Sequence, residues 1–134
     1  MNTSYIIRFE HLRMSDVSRV GGKNASLGEM IGQLAKLGVR VPGGFATTAQ
    51  AYRDFLAQGG LDQRIRSVLN GLDVADVARL SEAGAQIREW VMATALQPQL
   101  EQSIRDAYQQ LQNEATSQFS VAVRSSATAE DLPD

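Results

Sequence analysis

Two short stretches of this 134-residue chain carry residue types suited to holding an anion. The first is Gly21-Gly22-Lys23-Asn24-Ala25-Ser26, placed where an apolar helical repeat begins. Paired glycines let backbone approach a ligand closely and present amide hydrogens, and a helix N-terminus adds positive partial charge. Lys23 adds a full charge at the same place. Together these are the parts of a phosphate site. They also fit a plainer arrangement, a tight glycine turn beside a solvated lysine. The stretch is not a Walker A loop, which would need Gly at Val17 and Ser or Thr at Asn24.

The second stretch is Arg124-Ser125-Ser126, directly after the apolar run Phe119–Val123. Ligands of α/β folds gather beyond the carboxyl ends of strands, and an arginine there grips phosphate oxygens with a bidentate fork. Ser125 and Ser126 offer hydroxyl and amide donors. The competing reading pairs Arg124 with Glu130 or Asp131. Those adjacent carboxylates are themselves either magnesium ligands or an exposed acidic turn. His11 reads as a surface or strand-end residue, and Trp90 as core or interface.

The elements that must position these residues follow from periodicity. Tyr5–Phe9 reads as a short strand. A helix from Ala25 presents Leu27, Met30, Ile31, Leu34 and Leu37 on one face, capped by Asn24 and ended by Gly38. Val39–Phe45 reads as a strand broken by a Pro-Gly turn, after which Thr47 or Thr48 caps a helix that Gly59-Gly60 ends. The middle is helical: a short segment with Ile65, Val68 and Leu69, then a longer one capped by Asp73 along Val77, Leu80, Gly84, Ile87 and Val91. Pro98 suits the first turn of a last helix with Leu100, Ile104, Ala107 and Leu111 in one stripe. Each stripe reads as core packing. Phe119–Val123 reads as a strand with an open edge.

Composition excludes several classes of protein. Without cysteine there is no disulfide framework, thiolate metal site or cysteine nucleophile, and one histidine rules out a His-rich metal centre. A net charge of -2 argues against a nucleic-acid partner. No apolar run approaches the roughly 18 residues of a membrane span, and the start lacks the features of a signal peptide, so a soluble, cytoplasmic chain is expected. Residues 1–60 hold seven Lys/Arg against four Asp/Glu, whereas 61–134 hold six against eleven. An anionic ligand therefore suits the first part better.

Three longer stretches, in this order, carry a resemblance. They are Val20–Met30, Val41–Thr48 with Ala51-Tyr52, and Val121–Asp134. They resemble the N-terminal nucleotide-binding domain of the pyruvate, phosphate dikinase group, and within it the phosphoenolpyruvate synthase branch, which Gly84–Trp90 also favours. The resemblance implies an α+β fold, a partial ATP-grasp-type domain over 1–134 that is helix-rich with a few short strands. It implies that this is the N-terminal part of a longer domain, truncated at its C-terminal end. The implied activity makes phosphoenolpyruvate from pyruvate, ATP and water, releasing AMP and phosphate, through a phosphohistidine on another domain. By resemblance, Lys23 contacts ATP phosphates, Arg124 grips the transferring phosphates, and Ser125, Ser126, Gly21 and Gly22 belong to the same motifs.

No catalytic residue and no metal ligand is implied within 1–134, and His11 matches neither role. Mg2+ ligands, adenine contacts and the pyruvate site are expected outside the segment, which alone is expected to be inactive and marginally stable. The implied partners are ATP, and pyruvate through other domains. The full-length enzyme is expected to be a cytoplasmic homo-oligomer without nucleic-acid or membrane partners. Arg8 departs from the related strand, which often carries an aromatic residue there. Other readings are a stand-alone nucleotide-binding or regulatory module, a rifamycin phosphotransferase-type enzyme sharing this domain, and a helical interaction domain.

Overall fold

A computed structural model describes residues 4–39, 41–115 and 118–129. The chain divides into two units, residues 1–52 with 98–134 and residues 53–97.

The first unit is built on a short antiparallel pair. Strand β1 (Ile6–Arg8) faces β2 (Phe45–Thr47) in the register Ile6 to Thr47, Ile7 to Ala46 and Arg8 to Phe45. Backbone bonds from Phe9 N–H to Gly44 O and from Thr48 N–H to Tyr5 O close its two ends. The strand expected over Val39–Phe45 thus begins only at its last residue. Pro42 offers no N–H to a ladder, and Gly43-Gly44 turns the chain into β2. After β1 the chain makes two 3-10 turns, Phe9–His11 and Met14–Asp16, and then helices α1 (Val17–Val20) and α2 (Gly22–Lys36).

Leu12, Val20, Ala25 and Ala46 form the core here, with Ile7, Phe9 and Val17 packed against them. Helix α2 buries Ala25 and Gly28 rather than its large residues, and Met30 and Leu37 are exposed. The reason is a close approach: a Cβ on Gly28 would run into the Leu12 side chain and into the carbonyls of Leu12 and Phe9. The signal was present as small residues at 21, 25, 28 and 32, which recur at helical spacing.

Thr48 caps α3 (Ala49–Ala57), accepting the Ala51 N–H on its side-chain oxygen at 3.2 Å. Helix α6 (Pro98–Glu114) starts at Pro98 as expected and buries Leu100 and Ala107 of its stripe. Arg8 ties β1 to this helix, its guanidinium lying 2.7 Å from Glu114 and 3.3 Å from Gln110. Phe119–Val123 does not pair as a strand among the described residues. Its first ring packs edge-on against Tyr108 at 5.2 Å, while Val123 is bare to solvent.

The second unit is helical. Helix α4 (Leu61–Leu69) packs on α5 (Val77–Ala93), and Arg64 lies 5.1 Å over the Trp90 ring. Asp76, not Asp73, caps α5 by accepting the Arg79 N–H, and Asp73 instead closes the preceding turn through Ala75 N–H. Only part of the expected α5 stripe is covered: Ile87 and Val91 are half-buried, but Val77 and Leu80 are exposed.

Candidate functional site

The two anion-suited stretches meet at the junction of α1 and α2. Val20 ends α1, and Gly21 breaks the chain direction with φ +87° and ψ 161°, a conformation open essentially to glycine alone. Helix α2 therefore starts at Gly22, three residues before the expected Ala25. Asn24 does not cap it. Its side-chain amide instead donates backwards to Val20 O at 2.9 Å, securing the end of α1.

Residues 125–127 dock on this junction from more than a hundred positions away. Lys23 Nζ donates to Ser125 O at 3.3 Å, and Gly22 N–H to Ala127 O at 3.3 Å. Ser126 Oγ accepts the Asn24 N–H at 3.4 Å and donates to Val20 O at 3.0 Å. Gly21 is buried beneath this loop, and a Cβ there would collide with Ser126 Oγ and with the Ala127 backbone. Two observations thus give Gly21 its residue type, a positive φ and the lack of room.

Among the described residues, the charged side chains of this junction are Lys23 and Arg124. Lys23 is half-buried, and its ammonium touches the residue that follows Arg124. Arg124 is exposed and forms no ion pair among the described residues. Glu130 and Asp131, the alternative partners for Arg124, lie outside the described residues. The glycine amides are committed within the chain: Gly21 N–H to Val17 O at 2.8 Å and Gly22 N–H to Ala127 O. What this junction offers an anion is therefore side-chain charge. Two cationic residues stand on adjoining backbone here, Lys23 in the first turn of α2 and Arg124 beside Ser125. Among the described residues no group of three or more His, Cys, Asp or Glu is placed to hold a metal ion. His11 lies on the 3-10 turn Phe9–His11, not in this junction.

Comparison with known proteins bears directly on this junction. Residues 17–134 match the model of the family described as pyruvate phosphate dikinase, AMP/ATP-binding domain, a span containing both stretches. The chain belongs to that family.

Among relatives of this pyruvate phosphate dikinase domain is the phosphoenolpyruvate synthase of Neisseria meningitidis serogroup B, 59% identical across 100% of this chain and 17% of the relative. The phosphoenolpyruvate synthase of Pseudomonas aeruginosa is 58% identical over 97% of this chain and 16% of its own length. That of Escherichia coli is 56% identical over 96% and 16% respectively. The chain thus spans about one sixth of the length of the curated relatives it matches. No helix among the described residues is long and apolar enough to cross a membrane.

Proposed function

We propose that this chain is the N-terminal part of a phosphoenolpyruvate synthase and forms one wall of its ATP site, with Lys23 and Arg124 as the phosphate-binding cations. One observation carries the reading. Two sequence-distant cationic stretches within the matched nucleotide-binding family are joined at a single helix start by the Lys23–Ser125 contact. Phosphoryl transfer asks a protein mainly for positioning and charge neutralisation, and a lysine and an arginine supply both. Lys23 acts as a point charge on a fixed helix, and Arg124 as a planar fork able to follow the transferring phosphates.

In the intact enzyme the diphosphoryl group of ATP would pass to a histidine on another domain, and one phosphoryl group would then reach pyruvate. ATP, pyruvate and water balance against AMP, phosphoenolpyruvate and phosphate. Magnesium, which the reaction would use to neutralise the triphosphate, would take its ligands from outside residues 1–134. The chain is read as the N-terminal part of an ATP-grasp-type domain, with the phosphohistidine and the pyruvate site assigned to other domains of the intact enzyme. The cell compartment that fits is the cytoplasm, and the intact enzyme is read as a homo-oligomer.

The test is phosphorylation of the intact protein by ATP labelled on its β-phosphate. Lys23→Ala and Arg124→Ala are each expected to abolish label transfer to histidine while pyruvate binding persists. Either variant labelling at the wild-type rate refutes the assignment.

A further inference from the structure

We propose that Ser126 is a positioning residue rather than a phosphate ligand: its hydroxyl caps α2 from across the sequence and so fixes where Arg124 stands. This rests on the junction being an ATP-phosphate site. A serine hydroxyl has one proton to donate, and here that proton goes to Val20 O at 3.0 Å. A phosphate oxygen at neutral pH needs a donor, so Ser126 has none to offer it. On its other side the same oxygen accepts the Asn24 N–H, one of the orphan amides of the first turn of α2. That is the work of an N-cap side chain, done by a residue 102 positions away.

The clasp has few ways to move. Val20 O is also held by the Asn24 side chain, so one carbonyl receives both donors. Ala127 O is bonded to Gly22 N–H and Ser125 O to Lys23 Nζ, which secures the residues on either side of Ser126. Glycine at position 21 is what lets the hydroxyl come this close. Arg124, two residues before Ser126, has no hydrogen bond of its own among the described residues to hold it. Its placement over the phosphates is set through its neighbours.

The experiment measures the dissociation constant and KM of ATP for the intact protein, with hydrogen exchange at the Asn24 amide in the nucleotide-free state. Ser126→Ala is expected to speed that exchange and to weaken ATP on the order of ten-fold, the size of one misplaced charge-assisted contact, with kcat falling less than affinity. Ser126→Thr, which keeps the hydroxyl, is expected to restore both. In an Arg124→Ala background Ser126→Ala should cost no further affinity, because the arginine it positions is gone. Ser126→Cys, which keeps the size and weakens the donor, replaces the alanine variant if that one fails to fold. Faster Asn24 exchange with wild-type ATP affinity overturns the proposal, and so does a loss that multiplies in full with that of Arg124→Ala. Wild-type affinity in both Lys23→Ala and Arg124→Ala overturns it together with the ATP-site reading. A weakened Arg124→Ala beside a normal Ser126→Ala overturns this inference alone.

Discussion

Lys23 and Ser125 are 102 positions apart in sequence, yet their contact brings the two anion-suited stretches together. Gly21 lies beneath the docked loop, with no room for a side chain. Alanine there must adopt a φ of +87° and also displace the Ser126 oxygen, so Gly21→Ala should destabilise the intact protein by about 1–3 kcal/mol and weaken ATP. Gly38 provides the contrast. It has a similar φ of +77° but nothing within reach of an added Cβ, so Gly38→Ala should cost only the backbone strain, about 1–2 kcal/mol, and leave ATP affinity unchanged. Thermal unfolding and nucleotide titration of the two variants side by side separate backbone strain from loss of the docked loop. Equal effects on ATP binding would remove Gly21's special role.

Elements position these residues through polar links as much as through apolar burial. The 3-10 turn Met14–Asp16 is held by two carboxylates. Asp16 accepts the Arg13 N–H at 3.0 Å and an Arg19 guanidinium hydrogen at 3.1 Å, and Glu29 on α2 accepts the Met14 N–H at 3.2 Å. The Arg13 amide holds the Asp16 carboxyl below its ordinary value, and the Met14 amide does the same for Glu29. Because folding lowers both values, their stabilisation is complete above the unfolded range of about pH 4 and is lost as pH falls through the lowered folded values. Hydrogen exchange at the Arg13 and Met14 amides should therefore lose protection below about pH 4 before the Leu12 core opens. Protection unchanged down to global unfolding would contradict this.

Leu12 itself is fully buried against α2, and Leu12→Ala should cost about 2–5 kcal/mol in thermal or denaturant unfolding. Sequence periodicity was enough to find α2, α3, α4, α5 and α6, because apolar spacing and the signals at Thr48 and Pro98 are local. It misjudged what α2 buries, since a seam of Ala25 and Gly28 against Leu12 depends on a partner that spacing alone does not reveal. Asn24 and Asp73 were plausible caps by type, but Gly21 and Asp76 start the helices because backbone geometry decides between neighbours. The two anion-suited stretches were legible separately. Their union was implied only by the family resemblance, because no local pattern records a bond between residues a hundred positions apart.

At the scale of the molecule, residues 1–52 and 98–129 are where the chain carries its candidate chemistry, while residues 53–97 form a separate helical unit. Membership of the AMP/ATP-binding family covers both. The relatives' greater length leaves room for the histidine and the pyruvate site that the proposed reaction needs. Lys23 and Arg124 are proposed to hold the phosphates of ATP together. The most direct measurement is calorimetric ATP titration of the intact protein as wild type, Lys23→Ala, Arg124→Ala and the double variant. Each single change is expected to weaken ATP by about ten-fold or more, in line with removal of one charge-assisted contact, and AMP binding should respond far less. A double variant that binds ATP as tightly as wild type would place the phosphates elsewhere and rule out this pair of residues as their ligands.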